Sequence, residues 1–479
     1  MSSVSPIKFH ENVKQVISNP IKRKNIREAM DFLVDKRAKQ FQDPKVYEAL
    51  RTKGELIRQY SLANLPRLLV TLENNLQRNG IHVHWAETPE EACEIIVAIS
   101  KRADSKLVVK GKSMVSEEVE LNHALEAENI GALETDMGEY IVQLAGEKPS
   151  HIIMPAIHKT KQEIARLLAE KVPGVDYTES VDELIDISRR VLRKEFRDAK
   201  VGVSGVNVAV AETGTLCLVE NEGNGRMCTT VPDVHIAITG IEKVVEKLAH
   251  VPTLLTLLTR SATGQAATTY FNWISGPRKE NELDGPKEVH LVLLDNGRTA
   301  AYADKRIRST LQCIRCGACM NHCPVYSRVG GHAYGTTYPG PIGKIISPHL
   351  LGLENTAELV TASSLCGACG EVCPVKIPIP DLLIELRQQS QGNAKEPQLS
   401  GYGSGRSLVQ VLVYRLWVWL YSSPFLYRLF STLATRLRFL TPRKQGAWTR
   451  SRVPLQPASK SLHERVKTHE NAVKNSSER

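Results

Sequence analysis

The chain has 479 residues, of which 42% are hydrophobic and 24% are charged, which is typical of a globular protein with two to four domains. Its net charge of +10 points to a membrane surface, an acidic protein or a nucleic acid as partner. We predict no nucleic-acid partner, because no binding motif is present and the aromatic residues do not alternate with the basic ones.

Residues 1–64 are predicted to form a basic helical N-terminal arm, with helices over 26–41 and 43–63, that packs against the rest of the chain. The first residues lack the apolar core of a signal peptide, so we expect a cytoplasmic location, where thiols stay reduced. No uninterrupted apolar run of 18 residues is present, so no membrane span is predicted.

Residues 65–300 alternate between helical and strand patterns, which predicts an α/β domain with a mostly parallel sheet. The predicted strands fall at 82–86, 106–110, 132–134 and 152–155, and the helices at 65–79, 89–103 and 116–129. Gly111-Lys112-Ser113 is not a phosphate-binding loop, because Lys106 stands where such a loop has glycine. No Gly-x-Gly-x-x-Gly follows a strand, so neither a nucleoside triphosphate nor a dinucleotide is expected.

The stretch 201–222 is predicted to be a β-hairpin with its turn at 211–215, and a glycine-rich loop follows it at 220–226. Loops at strand ends of such sheets often bind ligands, which defines a candidate pocket. Its members are Glu212, Thr213, Asn221, Glu222, Asn224, Arg226 and His235. The residues alone favour the simpler alternative, in which the glycines only form turns and His235 is a core histidine. Cys93, Cys217 and Cys228 are expected to be ordinary buried residues.

Residues 301–395 contain two cysteine motifs, Cys-x2-Cys-x2-Cys-x3-Cys-Pro at 313–324 and Cys-x2-Cys-x3-Cys-Pro at 366–374. The first has the spacing of bacterial ferredoxins, in which three thiolates bind one iron–sulfur cluster and the fourth binds the other cluster. This pattern predicts a helical ferredoxin-like domain with crossed ligand sets. The first cluster would be bound by Cys313, Cys316, Cys319 and Cys373, and the second by Cys323, Cys366 and Cys369.

The second ligand set lacks one cysteine, and Ser363 stands where a complete motif would have it. The second cluster is therefore a four-iron cluster with a non-cysteine ligand (Ser363, water or a partner's group), a three-iron cluster, or one completed by a distant cysteine. A zinc site is disfavoured, because zinc usually takes four ligands around one ion. A disulfide framework is disfavoured, because it requires an oxidising compartment.

Residues 396–440 are predicted to form an amphipathic helical C-terminal region, in which a glycine-rich joint at 401–405 precedes the helical stretch 408–440. Pro424 divides 408–440 into two helices that carry four arginines among Leu, Trp and Tyr. Such an element contacts a membrane surface or a partner, or covers this protein's own core. Residues 441–479 are predicted to be a basic, disordered tail.

The chain resembles the lactate-utilisation protein B family, the iron–sulfur subunit of the bacterial L-lactate oxidation system. In the α/β domain the resemblance rests on 211–216, 221–224, His235 and 240–243. In the ferredoxin-like domain it rests on 313–324, 330–335, 364–369 and 373–376. This combination covers nearly the whole chain and is far more specific than a ferredoxin motif alone.

The resemblance implies a lactate-utilisation domain over 65–300 and two 4Fe-4S clusters bound by the same seven cysteines, so the missing eighth cysteine is a family trait. It also implies a role in oxidising L-lactate to pyruvate together with two partners. One is a cysteine-rich subunit and the other a smaller subunit with the same α/β domain. The lactate site would lie on a partner or in the α/β pocket.

Electron transfer fits the residues, because lactate releases two electrons and two clusters can accept one each. No flavin or nicotinamide fingerprint supplies a hydride acceptor. The alternative is a stand-alone α/β enzyme that acts on a small carboxylate or thioester and has structural clusters.

Overall fold

The computed structural model describes residues 5–390, 408–446, 449 and 453–477. The chain divides into two compact units, 1–403 and 404–479. The predicted joint at 401–405 lies outside the described residues.

The first unit contains a six-stranded parallel sheet with the strand order β1-β10-β7-β4-β2-β3. Its strands are β1 (Ile81–Ala86), β2 (Leu107–Lys110), β3 (Gly131–Glu134), β4 (Val201–Gly205), β7 (Val234–Gly240) and β10 (Glu288–Leu294). Every residue of β7 is buried, as expected for the centre of a parallel sheet that is covered on both faces. The structure thus confirms the predicted α/β domain with its mostly parallel sheet.

A smaller four-stranded sheet packs beside it, with the order β8-β5-β6-β9. Its strands are β5 (Val208–Val210), β6 (Thr215–Glu220), β8 (Val244–Val245) and β9 (Tyr270–Ile274). Strands β5 and β6 form the predicted hairpin, with Val208 opposite Cys217. Residues 201–205, which are predicted to belong to that hairpin, instead form β4 of the large sheet.

Helices surround the sheets and form the N-terminal arm. Their bounds are α1 (Phe9–Ile17), α2 (Pro20–Gln40), α3 (Pro44–Ala63), α4 (Leu65–Arg78), α5 (Pro89–Arg102), α6 (Met114–Glu118), α7 (Leu121–Ala127), α8 (Met137–Leu144), α9 (Lys161–Lys171), α10 (Val181–Asp198), α11 (Asn224–Thr230) and α12 (Val251–Ala262). Helix α4 buries Leu65, Leu68, Leu72 and Leu76, whose spacing places them on one face.

The region after the sheet is a series of short helices. Their bounds are α13 (Arg298–Ala303), α14 (Ala318–Asn321), α15 (Tyr326–Val329), α16 (Gly340–Leu351), α17 (Leu353–Thr361), α18 (Ala368–Val372) and α19 (Ile379–Ser390). Six of the seven motif cysteines pack in one apolar core with residues of α2 and α3, such as Met30, Leu33 and Ile57. The N-terminal arm therefore covers the cysteine-rich region.

The prediction of a strand at 152–155 is wrong, because this segment is a loop. The ring Nδ1 of His151 accepts hydrogen bonds from the backbone N–H groups of Ile153 and Met154, at 3.0 and 3.2 Å. The Ile153 carbonyl accepts one from the Lys112 ammonium at 2.8 Å. Side chains thus satisfy backbone groups that a strand would have paired in a sheet.

In the second unit, α20 (Leu408–Ser422) and α21 (Pro424–Arg436) are separated at Ser423, as the position of Pro424 predicts. Helix α22 (Leu462–Ser477) lies in the stretch predicted to be disordered, so that prediction is wrong for these residues. The side chain of Glu464 accepts a hydrogen bond from the Ser461 N–H at 2.7 Å, which stabilises the helix start. No helix of the described residues is long and apolar enough to cross a membrane.

Candidate metal centre

The first cysteine motif forms a tight loop that begins before α14. Arg315 and Gly317 both have positive φ angles, 60° and 75°, on either side of Cys316. This curvature turns the loop, and the Arg315 N–H donates to the Cys313 sulfur at 3.3 Å. Cys319 follows in the first turn of α14.

The second motif repeats this geometry before α18. Leu365 and Gly367 have φ angles of 54° and 87° on either side of Cys366, and Cys369 lies in α18. The last cysteine of each motif also accepts a backbone hydrogen bond, from Tyr326 to Cys323 and from Ile377 to Cys373, at 3.5 and 3.3 Å. The two motifs are therefore structural repeats, not only sequence repeats.

Cys373 of the second motif lies beside the first three cysteines of the first motif. Burial, followed by the neighbouring Cys373 and Cys313 sulfurs, raises the pKa of Cys316 to about 12. Burial and the same neighbours hold the pKa of Cys319 well above its usual range. Buried thiols this close are costly to ionise unless a cationic group shares their charge, which is what bound iron would do.

The second predicted set is less enclosed. Burial, then the nearby Cys323 sulfur, raises the pKa of Cys369 to about 11. Cys366 is exposed, and hydrogen bonding from the Ala368 backbone lowers the pKa of its thiol. The structure therefore brings Cys323 and Cys369 together and places Cys366 at the surface.

The cysteine sulfurs do not form a site for a single ion. A tetrahedral Zn²⁺ holds sulfur ligands about 3.8 Å apart. Among the described residues, no group of three ligand atoms that includes a cysteine sulfur lies within 4.8 Å. The thiols are therefore not arranged around one tetrahedral ion, the alternative that the motif spacing also disfavours.

Ser363, the predicted replacement for the missing cysteine, accepts a hydrogen bond from the Leu365 N–H at 3.2 Å through its hydroxyl. Its carbonyl accepts one from Arg387 at 3.1 Å. Ser364, the next residue, is the serine that hydrogen-bonds the Cys366 thiol.

Basic side chains from distant parts of the chain contact the backbone at or next to the first ligand set, and sequence reasoning missed them. The buried Arg58 of α3 donates to the carbonyls of Leu311 and Gln312, at 3.0 and 3.2 Å. Arg51 donates to the Cys373 carbonyl at 3.0 Å, and Lys243 donates to the Cys313 carbonyl at 3.1 Å. The only sequence signal is the seven-residue interval from Arg51 to Arg58, which places both on one face of α3.

A buried ionic network holds Arg315 in place. Its guanidinium lies 4.5 Å from the Tyr338 ring centre and 3.4 Å from a Glu242 carboxylate oxygen. The other Glu242 oxygen accepts from Arg298 at 2.7 Å. Burial opposes ionisation of Glu242, but Arg298 and then Arg315 outweigh it and lower its pKa to about 2. Glu242 is therefore a carboxylate at neutral pH.

A cavity of about 440 Å³ lies where the sheet meets the first motif. The carboxyl ends of β2, β4 and β7 meet at one edge of the sheet, and Lys112, Asn207 and Lys243, which follow them, line the cavity. Ile314 and Arg315 of the cysteine loop complete it. The predicted cluster site and the predicted ligand edge of the sheet are thus adjacent.

The structure brings together only part of the candidate pocket. Asn221, Glu222 and Asn224 line the cavity. Glu212 and Thr213 do not, because they lie at the hairpin turn, where their carbonyls accept hydrogen bonds from Asn75 and Asn79 of α4.

The other two predicted pocket residues also lie outside the cavity lining. Arg226 lies in α11, and its backbone N–H donates to Glu220. His235 is buried in β7, where its Nε2 is 2.8 Å from the Ser204 hydroxyl, and burial lowers its pKa to about 3.

The three free cysteines outside the motifs, Cys93, Cys217 and Cys228, are buried as predicted. Burial raises the pKa of Cys217 to about 12.

Comparison with known families agrees with these features. The LUD domain family matches residues 70–294, the 4Fe-4S dicluster domain family matches 309–377, and the family described as "Lactate utilisation protein B, C-terminal" matches 385–471. The fold and the cysteine site thus define an iron–sulfur protein with an α/β LUD domain.

Curated relatives resemble most of the chain. It is 45% identical to "Lactate utilization protein B" of Bacillus cytotoxicus over 385 residues, which cover 80% of this chain and 81% of the relative. It is 44% identical to "Uncharacterized electron transport protein YkgF" of Escherichia coli over 380 residues, or 79% and 80% of the two chains. The chain belongs to the lactate utilization protein B family.

Among solved structures, a DUF162 family protein from Deinococcus radiodurans is similar at 14% identity and a TM-score of 0.26. The match covers 48% of this chain and 98% of that one.

Proposed function

We propose that this chain is the iron–sulfur electron-transfer subunit of a system that oxidises L-lactate to pyruvate. The observation that carries the proposal is the position of Cys373 beside the first three cysteines of the other motif. The same crossing of ligand sets occurs in two-cluster ferredoxins. The names of the relatives, a lactate utilization protein and an electron transport protein, support the same function.

In this proposal the chain holds two 4Fe-4S clusters. When bound, each cluster can accept and return one electron at a time. The ligands of the first cluster are Cys313, Cys316, Cys319 and Cys373, and those of the second are Cys323, Cys366, Cys369 and one group that is not a cysteine. The fourth group is Ser363, water or a partner's side chain, and loss of the iron at that corner would leave a three-iron cluster.

The protein's contribution is burial and charge. Arg51 and Arg58 lie against the loops of the first set, where their positive charges offset the negative charge of the thiolates. Lys243 lies there too, but burial lowers its pKa to about 7, so it contributes a smaller positive charge at neutral pH. Hydrogen bonds from backbone N–H groups to Cys313, Cys323 and Cys373 act in the same direction. Both features favour the reduced form and raise the reduction potential.

The exposed Cys366 marks the place for electron exchange with a partner. The six other motif cysteines are buried, so a partner approaches the second set more closely. The proposed partners are the cysteine-rich subunit and the smaller subunit with a LUD domain that the family resemblance implies.

Cysteine variants test the proposal by iron content and electron paramagnetic resonance of anaerobically purified protein. Cys316→Ala and Cys369→Ala should each remove one of two signals and about half of the iron, because each is a thiolate ligand of one cluster. Cys217→Ala is the matched control, since Cys217 is also buried but lies in β6. Two unchanged signals in both motif variants, or protein that binds zinc without inorganic sulfide, would contradict the proposal.

A second candidate is a stand-alone enzyme with structural clusters, which the cavity favours because an electron carrier does not require one. It would act on a small carboxylate or thioester. Redox titration separates the two functions, since structural clusters would show no signal change when lactate and the partner subunits are added.

We also propose that the second unit contacts the anionic inner face of the membrane. Residues 404–479 contain 14 Lys and Arg residues and only three acidic ones, so this unit alone carries the chain's positive excess. Helices α20 and α21 expose large apolar side chains among these cations, including Trp417, Trp419, Phe425 and Phe430. Exposed aromatic residues with basic neighbours are typical of helices that lie in the membrane interface.

A further inference from the structure

We infer that the cavity beside the first cysteine motif binds a small organic carboxylate, whose acid group pairs with Arg315 and Lys243. The inference rests on the proposed function only for the class of acid, a 2-hydroxy acid such as lactate. It places the substrate site on this chain and not on a partner subunit.

Arg315 carries the inference, because part of its guanidinium lacks an acceptor. The side chain is only 10% exposed, and its Nη1 is buried with no hydrogen-bond partner among the described residues. Its Nη2 contacts Glu242 at 3.4 Å, and the Tyr338 ring lies below the guanidinium plane, so the group cannot turn away freely. A buried charged donor without an acceptor is costly, and a carboxylate matches the guanidinium fork.

Three further basic side chains line the same cavity, those of Lys36, Lys112 and Lys243. Lys243 follows β7 and lies close enough to the cysteine loop to donate to the Cys313 carbonyl at 3.1 Å. Lys112 follows β2 and donates to the Ile153 carbonyl at 2.8 Å. Lys112 also lies 3.8 Å from a carboxylate oxygen of the buried Glu139. Lys112 and Lys243 still have donor capacity, because an ammonium carries three N–H groups.

The acidic residues of the lining are already engaged. Glu220 accepts from the backbone N–H groups of Gly225 and Arg226, at 2.6 and 2.7 Å. Glu222 accepts from the Met137 N–H at 3.0 Å, and Asp136 accepts from the first N–H groups of α8. These carboxylates are hydrogen-bonded to other groups, and none of them accepts a hydrogen bond from Arg315 Nη1. The positive charge at Nη1 therefore favours an anionic ligand.

The remaining wall suits an organic acid better than an inorganic anion. Val206, Ile238, Leu258 and Ala262 present apolar surface to the cavity. Sites of 300–1,000 Å³ typically combine such surface with a few polar groups that orient the ligand. The volume of about 440 Å³ leaves room for the carbon chain of the acid next to its carboxylate.

Isothermal titration calorimetry of the anaerobic holoprotein tests the inference with L-lactate and its neutral amide, L-lactamide. We expect heat from lactate and none from lactamide at the same concentrations. Arg315→Gln should weaken lactate binding by about 30-fold, as expected for removing one member of a buried charge pair. Arg315→Lys should restore part of the loss, because it restores the charge without the fork.

Arg308→Gln is the matched control. Arg308 also lies 4.5 Å from a tyrosine ring, that of Tyr302, close to the first motif, but it is not part of the cavity lining. Its removal should leave lactate affinity unchanged.

Electron paramagnetic resonance of the same samples separates this inference from the proposed function. If Arg315→Gln alters the first cluster's signal and leaves lactate affinity unchanged, Nη1 serves the cluster and the inference is wrong. Absence of lactate binding in wild-type protein with two intact signals would overturn the inference and leave electron transfer standing. Lactate binding without redox-active clusters would overturn the proposed function alone.

Discussion

Lys344 of α16 is a buried basic residue close to the second cysteine set. Its ammonium donates to the Ala362 carbonyl and lies 5.5 Å from the centre of the Tyr334 ring. Burial lowers its pKa, and the Cys323 and Cys369 sulfurs oppose that shift. A positive charge at this position stabilises the reduced, more negative form of a cluster held by these thiolates.

Replacing Lys344 with Met should therefore lower the reduction potential of the second cluster. We expect a decrease of about 60 mV or more, which corresponds to a tenfold change in a one-electron equilibrium. A potentiometric titration followed by electron paramagnetic resonance measures it. Lys344→Arg keeps the charge and should change the potential less, and equal potentials in wild type and Lys344→Met would contradict the charge argument.

For single residues, the sequence predicts contacts that depend on local spacing. The cysteines of each motif lie within 12 residues of one another, so their proximity follows directly from the sequence. Arg58 contacts the Gln312 carbonyl across 254 residues, and Glu242 joins Arg298 and Arg315 from three different segments. No periodicity in the chain reports such contacts, which explains why the cavity's charged wall was missed.

The segment 330–335 joins the cysteine-rich region to the loop that was predicted to be a strand. The His332 Nε2–H donates to the Lys148 carbonyl at 2.7 Å, and the Tyr326 hydroxyl donates to the Ser150 carbonyl at 2.6 Å. A Cβ atom on Gly331 would lie 1.8 Å from that same Ser150 oxygen. The glycine is thus required for close contact between two backbones.

Gly331→Ala should destabilise the protein strongly, because backbone atoms cannot yield as a flexible side chain can. We expect a loss of about 3 kcal/mol or more in the free energy of unfolding, within the range for severe overpacking. Chemical denaturation under anaerobic conditions measures it.

The control for this substitution is Gly146→Ala. Gly146 has a positive φ of 64°, whereas Gly331 has an ordinary φ of −73°, and no atom lies within 4 Å of the Cβ added to Gly146. Only the backbone strain of about 1 kcal/mol then applies. Similar losses in the two variants would show that the contact with Ser150 is not tight.

Elements with a strong local signal were predictable, and elements that depend on distant partners were not. Helix α5 has its Thr88 cap and acidic first turn in the sequence, and it forms as predicted. The loop at 152–155 is held by His151 and Lys112. The apolar run Ile152-Ile153-Met154 therefore indicated a strand, which these tertiary contacts exclude. Helix α22 has a polar composition, which concealed its Ser461–Glu464 capping box.

At the scale of the whole molecule, charge divides between the two compact units. Residues 404–479 carry a net +11, so the first unit is close to neutral despite its basic N-terminal arm. Composition located this excess at the chain ends, but only the structure shows that the N-terminal cations face the cysteine motifs. The C-terminal cations lie among exposed apolar side chains.

Full-length protein should therefore co-sediment with vesicles that contain anionic lipid and much less with neutral ones. Replacing the exposed Arg415, Arg428, Arg436 and Arg438 with Gln should weaken binding by about three orders of magnitude, since each cation contributes about 1 kcal/mol and 1.4 kcal/mol corresponds to a tenfold change.

The matched control replaces four exposed arginines of α10 in the first unit, Arg189, Arg190, Arg193 and Arg197, and should bind as wild type does. Equal binding to neutral vesicles, or binding that survives high salt unchanged, would contradict an electrostatic membrane contact.

The difference in solvent access between the two cysteine sets also determines how the protein responds to air. Cys366 is the exposed sulfur of the seven, whereas α2 and α3 shield the first set. Dissolved oxygen and peroxide should therefore reach the second set first, where the proposed non-cysteine ligand would bind iron less tightly than a thiolate. The second cluster would then be lost before the first, and its absorbance would disappear while that of the first cluster remains. The cell would need to reassemble only the second cluster, without unfolding the chain.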